Sequence, residues 1–240
     1  MLTGRGIVVG HRPGVPVLDG ADLSVSPGEV VGLAGPSGSG KSTMARVLGM
    51  LLAPWSGEVA VDGVPVTGVR YRVPRELRGT VGMVFQSPRL SVDPRLPLAA
   101  VIAEPLRVPG TPTAGRRGAA LRDRRVAELA ERVGLTADLL PRRPHEVSDG
   151  QLQRACLARA LAQQPRYLVC DEMTAMLDAS SAAGLVAALR DDVATGRLGV
   201  LAISHDEDLL AAWADRTVRL TAAAGGAAHR AAGALAPEHW

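Results

Sequence analysis

The stretch that most limits what this chain can fold into is GPSGSGKST, Gly35 to Thr43, together with what flanks it. Before it lies GEVVGLAG, a short apolar run bounded by glycine, the pattern of a strand buried on both faces. After it lies MARVLGMLL, in which Met44, Val47, Leu48 and Leu51 fall at helical spacing and predict one buried face. Strand, glycine loop and helix in that order define an α/β chain. The loop fits G-x-x-x-x-G-K-[ST]: its glycines let consecutive backbone N–H groups point inward at phosphate oxygens, and the helix N-terminus favours the anion. Lys41 is placed to reach terminal phosphates and Ser42 to ligate magnesium.

Three further apolar runs read as strands of the same kind. TVGMVF is followed by Gln86, RYLVC by Asp171 and Glu172, and GVLAIS by His205. In open parallel sheets ligands bind beyond the carboxyl ends of the strands, so these polar residues are expected to converge on one site. Asp171 would hold the magnesium shell, and Glu172 would orient and activate an attacking water as general base. Gln86 would touch the metal or that water; His205 would hydrogen-bond the terminal phosphate and Glu172.

Composition removes several other classes. At 240 residues the chain can bury a sizeable core, and with 21% charged and 47% apolar residues it is neither disordered nor fibrous. A net charge of +3 with one Phe, two Tyr and three Trp offers no basic stacking surface for nucleic acid. No run approaches the ~18 consecutive apolar residues of a membrane span, and the start MLTGRGIVVGHRPG does not read as a signal peptide. Cys156 and Cys170 lie inside apolar runs and read as small buried hydrophobes, which makes a cytoplasmic, reducing location the expectation.

The rest of the chain changes texture around this core. The first thirty residues and SGEVAVDGVPV alternate apolar and polar with glycine turns, as in a small antiparallel sheet. Between Gln86 and Ser148 come proline-broken helical segments: LAAVIAEPLR, then a longer helix with Val126, Leu129, Ala130 and Val133 on one face. The stretch TAAAGGAAHRAAGALAPEHW has little to bury and reads as flexible. VSDGQLQR opens another helix, and its Ser-Asp-Gly-Gln has no evident local ligand.

Taken in order, GPSGSGKST, VFQSP, VSDGQLQRACLARAL, YLVCDE, MLDAS and ISHD resemble the motif set of the ATP-binding cassette (ABC) family, over about residues 2–220. The resemblance implies a P-loop NTPase core with a mainly parallel sheet, an N-terminal antiparallel β subdomain and an inserted helical subdomain. It places an ATP-binding domain at 1–222, with the helical insertion at about 87–147 and a flexible tail at 223–240. ATP and Mg2+ would be held by Gly35, Pro36, Ser37, Gly38, Ser39, Gly40, Lys41, Ser42 and Thr43, with Gln86 and Asp171 completing the metal ligands. Two such subunits would pack head to tail. Ser148, Asp149, Gly150, Gln151 and Asp178 would then meet the ATP held by the partner, which gives the Ser-Asp-Gly-Gln box its missing ligand. Asp149 could instead serve as a helix cap.

Within the family, FQSPRLSVDPR, AEPLR and RPHEVSDGQLQR look like the importers of oligopeptides, dipeptides and nickel, and the short stretch after DRTVRL resembles the more compact nickel-type members. The implied partners are a second ABC ATPase subunit, as homo- or heterodimer, membrane permease subunits and, indirectly, an extracytoplasmic substrate-binding protein. The implied location is the inner face of the cell membrane. A soluble ABC-type ATPase serving a non-transport complex would carry the same motifs. Departures from the family pattern are VSDGQ in place of LSGGQ, Met173 in place of a proline, and GHRPG, where only His11 or Arg12 is available to stack on adenine. The segment SPRLSVDPRLPLAAVIAEPLR, rich in proline, arginine and apolar residues, reads as a docking groove for a partner helix.

Overall fold

A computed structural model describes residues 1–108, 111–174 and 179–221. In chain order its elements are β1 Leu2–Val9, β2 Leu18–Val25, β3 Val30–Ala34, α1 Lys41–Leu48, β4 Ser56–Val61, β5 Val64–Val66, α2 Arg75–Arg78 and β6 Val81–Val84. There follow α3 Leu98–Ala103, α4 Ala119–Arg132, α5 Asp149–Leu161, β7 Tyr167–Asp171, α6 Ala179–Ala194, β8 Gly199–Ile203, α7 Glu207–Trp213 and β9 Arg216–Arg219. They divide into two compact units. One is built from Met1–Met83, Arg166–Glu172 and the stretch that begins at Asp192; the other from Val84–Pro165 and Met173–Asp191.

The first unit contains the antiparallel sheet β2-β1-β4-β5 and the five-stranded sheet β6-β7-β8-β3-β9. In the antiparallel sheet β1 pairs with both β2 and β4; its register slips against β2 between Gly4 and Ile7 and again between Ile7 and Val9, and against β4 between Arg5 and Val8. β4 and β5 are joined through Asp62 and Gly63, both at positive φ, the backbone that a two-residue turn demands and that Asp-Gly supplies at low cost. In the second sheet β3 runs parallel to β8 on one side and to β9 on the other, and β7 runs parallel to β8. Every residue of β3, β7 and β8 is buried, which explains why these strands read as unbroken apolar runs.

Where α1 ends, the structure departs from the periodicity. The helix stops at Leu48, Gly49 caps it, and Met50 takes a left-handed φ of 60°. Met50 is thereby buried in the position expected for Leu51, which is 39% exposed while its N–H donates to Arg46 O. A periodic pattern continues through a glycine; the backbone did not.

In the second unit α3 and α4 both pack on α5. LAAVIAEPLR is helical to Ala103 and tightens to a 3-10 turn over Glu104–Arg107, because Pro105 has no N–H to continue the α-helical ladder. Val126, Leu129 and Ala130 of α4 are buried, as is Val133 just beyond its end. Cys156 and Cys170 are free thiols, and burial pushes both upward, away from the reactive thiolate. Among the described residues no helix is long and apolar enough to cross a membrane. The segment expected as a flexible tail, 223–240, and Asp178 lie outside the described residues.

Candidate functional site

The glycine loop leaves β3 and enters α1 at Lys41. Gly40, the residue before the helix, has φ +96°, and a Cβ there would lie 2.5 Å from Leu18 Cδ2, so only glycine fits both the backbone and the space. Among the described residues no side chain caps the first N–H donors of α1, and no first-turn acid offsets its positive end. Lys41, buried, curls back over the loop: its Nζ donates to Gly35 O at 2.7 Å and Pro36 O at 3.0 Å. Ser39 is 0% exposed, and its Oγ has no hydrogen-bond partner among the described residues. An uncapped helix start, a cation folded over the loop and a hydroxyl with no partner among the described residues together make a cradle for an anion.

Asp171 ends β7 beside this cradle. Ser42 Oγ donates to its Oδ1 at 3.1 Å. Burial pushes the Asp171 carboxyl above the usual carboxylate range, and neighbouring Glu172 adds to that; the Ser42 hydroxyl, Arg46 and Lys41 oppose it. Glu172 follows with φ 51°, a left-handed backbone rare for a residue with a side chain, and its N–H donates to Ile203 O at 3.0 Å. His205 Nδ1 lies 3.6 Å from Glu172 Oε1, near but beyond a direct hydrogen bond; the His205 side chain is 68% exposed and that of Glu172 18%. On either side of His205 the chain is tied down, since Ser204 Oγ accepts from Asp206 N and Asp206 Oδ1 accepts from Leu209 N at the start of α7. His11 and Arg12 are exposed on a turn between β1 and β2 that closes with an Arg12–Val15 bridge.

In the second unit Ser148 is the N-cap of α5. Its Oγ accepts from Gln151 N at 3.2 Å, while Gln151 Oε1 accepts from Ser148 N at 3.0 Å, a complete capping box. The capping role open to Asp149 thus belongs to Ser148. Asp149 is the first helical residue, and Arg89 Nε stands 2.6 Å from its Oδ1.

One side of α5 also holds the segment Phe85–Ser91, which contains the exposed Gln86. Besides the Arg89–Asp149 pair, Gln153 Nε2 donates to Phe85 O, Cys156 Sγ lies 3.4 Å from Ser91 Oγ, and Arg159 donates to Ser91 O at 2.6 Å. No motif in the sequence marks Arg89, Gln153 or Arg159. The available signal was a fully buried-looking Gln and an Arg recurring along an otherwise apolar helix.

Strand, glycine loop and helix set in a parallel sheet are the fold of a P-loop NTPase. The profile of the ABC transporter family matches residues 18–175, and the chain belongs to that family. A Brucella abortus (strain 2308) protein named for peptide import is 40% identical over 224 residues, covering 91% of this chain and 66% of that protein, just under two thirds of its length. The nickel import ATP-binding protein of Rhodospirillum rubrum is 41% identical over 214 residues, 89% of this chain and 75% of that one. A dimeric ATP-binding cassette solved in a post-hydrolysis state with ADP and Pi superposes with a TM-score of 0.80 at 26% identity, covering 92% of this chain and 96% of that one.

Proposed function

We infer that this chain is the ATP-binding and hydrolysing subunit of an ABC importer of the peptide or nickel type, with residues 1–222 as its ATP-binding domain and 87–147 as the helical insertion. The observation that carries the reading is the pairing of the anion cradle at Gly35–Thr43 with the Ser42–Asp171 hydrogen bond, followed at once by Glu172. The import names of the relatives support transport over service in a soluble complex. Its partners would be a second ATPase subunit, permease subunits and, through them, a substrate-binding protein, which would hold it on the cytoplasmic face of the membrane.

ATP is the substrate. The loop N–H groups and the uncapped start of α1 would receive its phosphates, and Lys41 would exchange its two carbonyl partners for the terminal phosphate oxygens. The Ser42 hydroxyl and Asp171 carboxylate fit Mg2+: a buried carboxylate pushed toward protonation gains most from a cation, and a hydroxyl neighbour matches the preference for oxygen ligands. Bound there, Mg2+ would neutralise charge on the phosphates. Phosphate oxygens would supply further ligands, with Gln86 joining them as the family resemblance implies.

Glu172 would orient a water, take its proton as the oxygen attacks the γ-phosphorus, and leave ADP and phosphate. His205 would contact the γ-phosphate and, with a small shift from 3.6 Å, Glu172. His11 or Arg12 would stack on adenine. Ser148, the Gly150 N–H, Gln151 and Asp178 would approach the ATP of the second subunit; a dimeric cassette among the structural neighbours supports this arrangement.

Glu172→Gln tests the reading. ATP binding should persist and an ATP-dependent dimer accumulate, while turnover falls by about 10²–10⁴. Undiminished turnover in that variant would remove Glu172 from the reaction.

A further inference from the structure

Asp149 occupies a glycine position of the ABC signature box, where a carboxylate beside the partner's triphosphate would repel it. The carboxylate is not loose. Arg89, on the 3-10 turn Pro88–Ser91, places Nε 2.6 Å from Asp149 Oδ1, and its two remaining nitrogens donate to Pro144 O at 2.8 Å and Val147 O at 3.2 Å. Those carbonyls lie just before the cap, so the guanidinium is anchored on the approach to α5. Asp149 Oδ1 is shielded from solvent, although it accepts no aligned hydrogen bond. The contact with Arg89 is therefore one of charge. Because Ser148 and Gln151 complete the cap between themselves, Asp149 does no capping work that would explain its presence.

We propose that Arg89 is a positioning residue that cancels and holds aside the Asp149 charge, so that Ser148 and the N-terminus of α5 stay receptive to a phosphate presented by a second copy of the chain. The inference rests on the trans contact proposed above. Arg89 lies three residues beyond Gln86, on the segment that α5 holds, and the charge correction therefore travels with that segment.

The test is ATP-dependent dimerisation followed by sedimentation in a Glu172→Gln background. Arg89→Ala should weaken the dimer by about tenfold at low salt, with the deficit shrinking as salt is raised. Adding Asp149→Asn should restore it, and Arg89→Lys, which keeps the charge, should dimerise nearly as well as the parent. Should the alanine variant aggregate, Arg89→Gln removes the charge while keeping a donor for the two carbonyls. If the Asp149→Asn double variant stays as weak as Arg89→Ala, or its Arg89→Gln counterpart as weak as Arg89→Gln, Arg89 acts only through the carbonyls and the inference fails. It fails alone if neither Arg89→Ala nor Arg89→Gln weakens a strong parent dimer. A Glu172→Gln parent that never dimerises with ATP would overturn the trans contact itself, and this inference with it.

Discussion

Lys41 shows how the glycine loop is tied to the helix that follows it. Its ammonium donates to Gly35 O and Pro36 O, which keeps the positive charge folded over the loop at the start of α1. Lys41→Ala should therefore abolish tight ATP binding in calorimetry, while costing the fold only about 1 kcal/mol for each of the two hydrogen bonds it gives up. Retained tight binding would mean that the backbone donors suffice alone. At this scale the sequence was most readable where chemistry is contiguous. Gly35–Thr43 and Asp171–Glu172 each lie within one short stretch, and each carries its own pattern. Arg89 and Asp149 are 60 positions apart by number, and nothing in either stretch names the other. Asp149 could be recognised as anomalous; its correction could not.

Elements were legible to the extent that burial alone decides them. The strands β3, β7 and β8 are buried throughout and were apparent from composition; the end of α1 was not, because a left-handed Met50 is a backbone event that hydrophobic spacing does not encode. Side chains that tie distant elements were equally hidden. Glu29 accepts from Arg216 at 2.6 Å and from Ser26 N at 2.9 Å, and Arg216 also donates to Ser24 O, so one ion pair fastens the end of β2, the approach to β3 and the start of β9. Burial pushes the Glu29 carboxyl up, but the Arg216 hydrogen bond, the Ser26 N–H and the Arg216 charge outweigh it and hold it below its ordinary 4.5. A depressed carboxyl contributes stability that is complete above 4.5 and disappears as pH falls through its lower folded value. Glu29→Gln should thus lower stability by about 1.5–3 kcal/mol at pH 7 in denaturant titrations. The gap from the parent should close below pH 4.5. A gap independent of pH would assign the loss to packing.

For the molecule as a whole, the question is where work leaves it. Leu90 is 89% exposed on the turn that carries Arg89, whereas Leu96, further along the segment read as a docking groove, is half-buried. So exposed an aliphatic side chain is available to the partner helix that the segment is expected to receive. If the proposed permease subunits dock here, Leu90→Asp should abolish their capture in membrane pull-downs and leave ATP-dependent dimerisation intact; capture at unchanged affinity would move the contact elsewhere.

The order of strands in the nucleotide-binding sheet sets a timetable. β3 carries the glycine loop, yet its hydrogen-bonded neighbours are β8 and β9, made only after residue 198. Until β8 and β9 have been made, β3 lacks both of its final partners, and an unpaired apolar strand is a template for pairing with other chains. A ribosome-bound fragment ending before Gly199 would display those edges to any strand within reach. The strand that leads into the glycine loop thus waits for β9 before both its edges are paired.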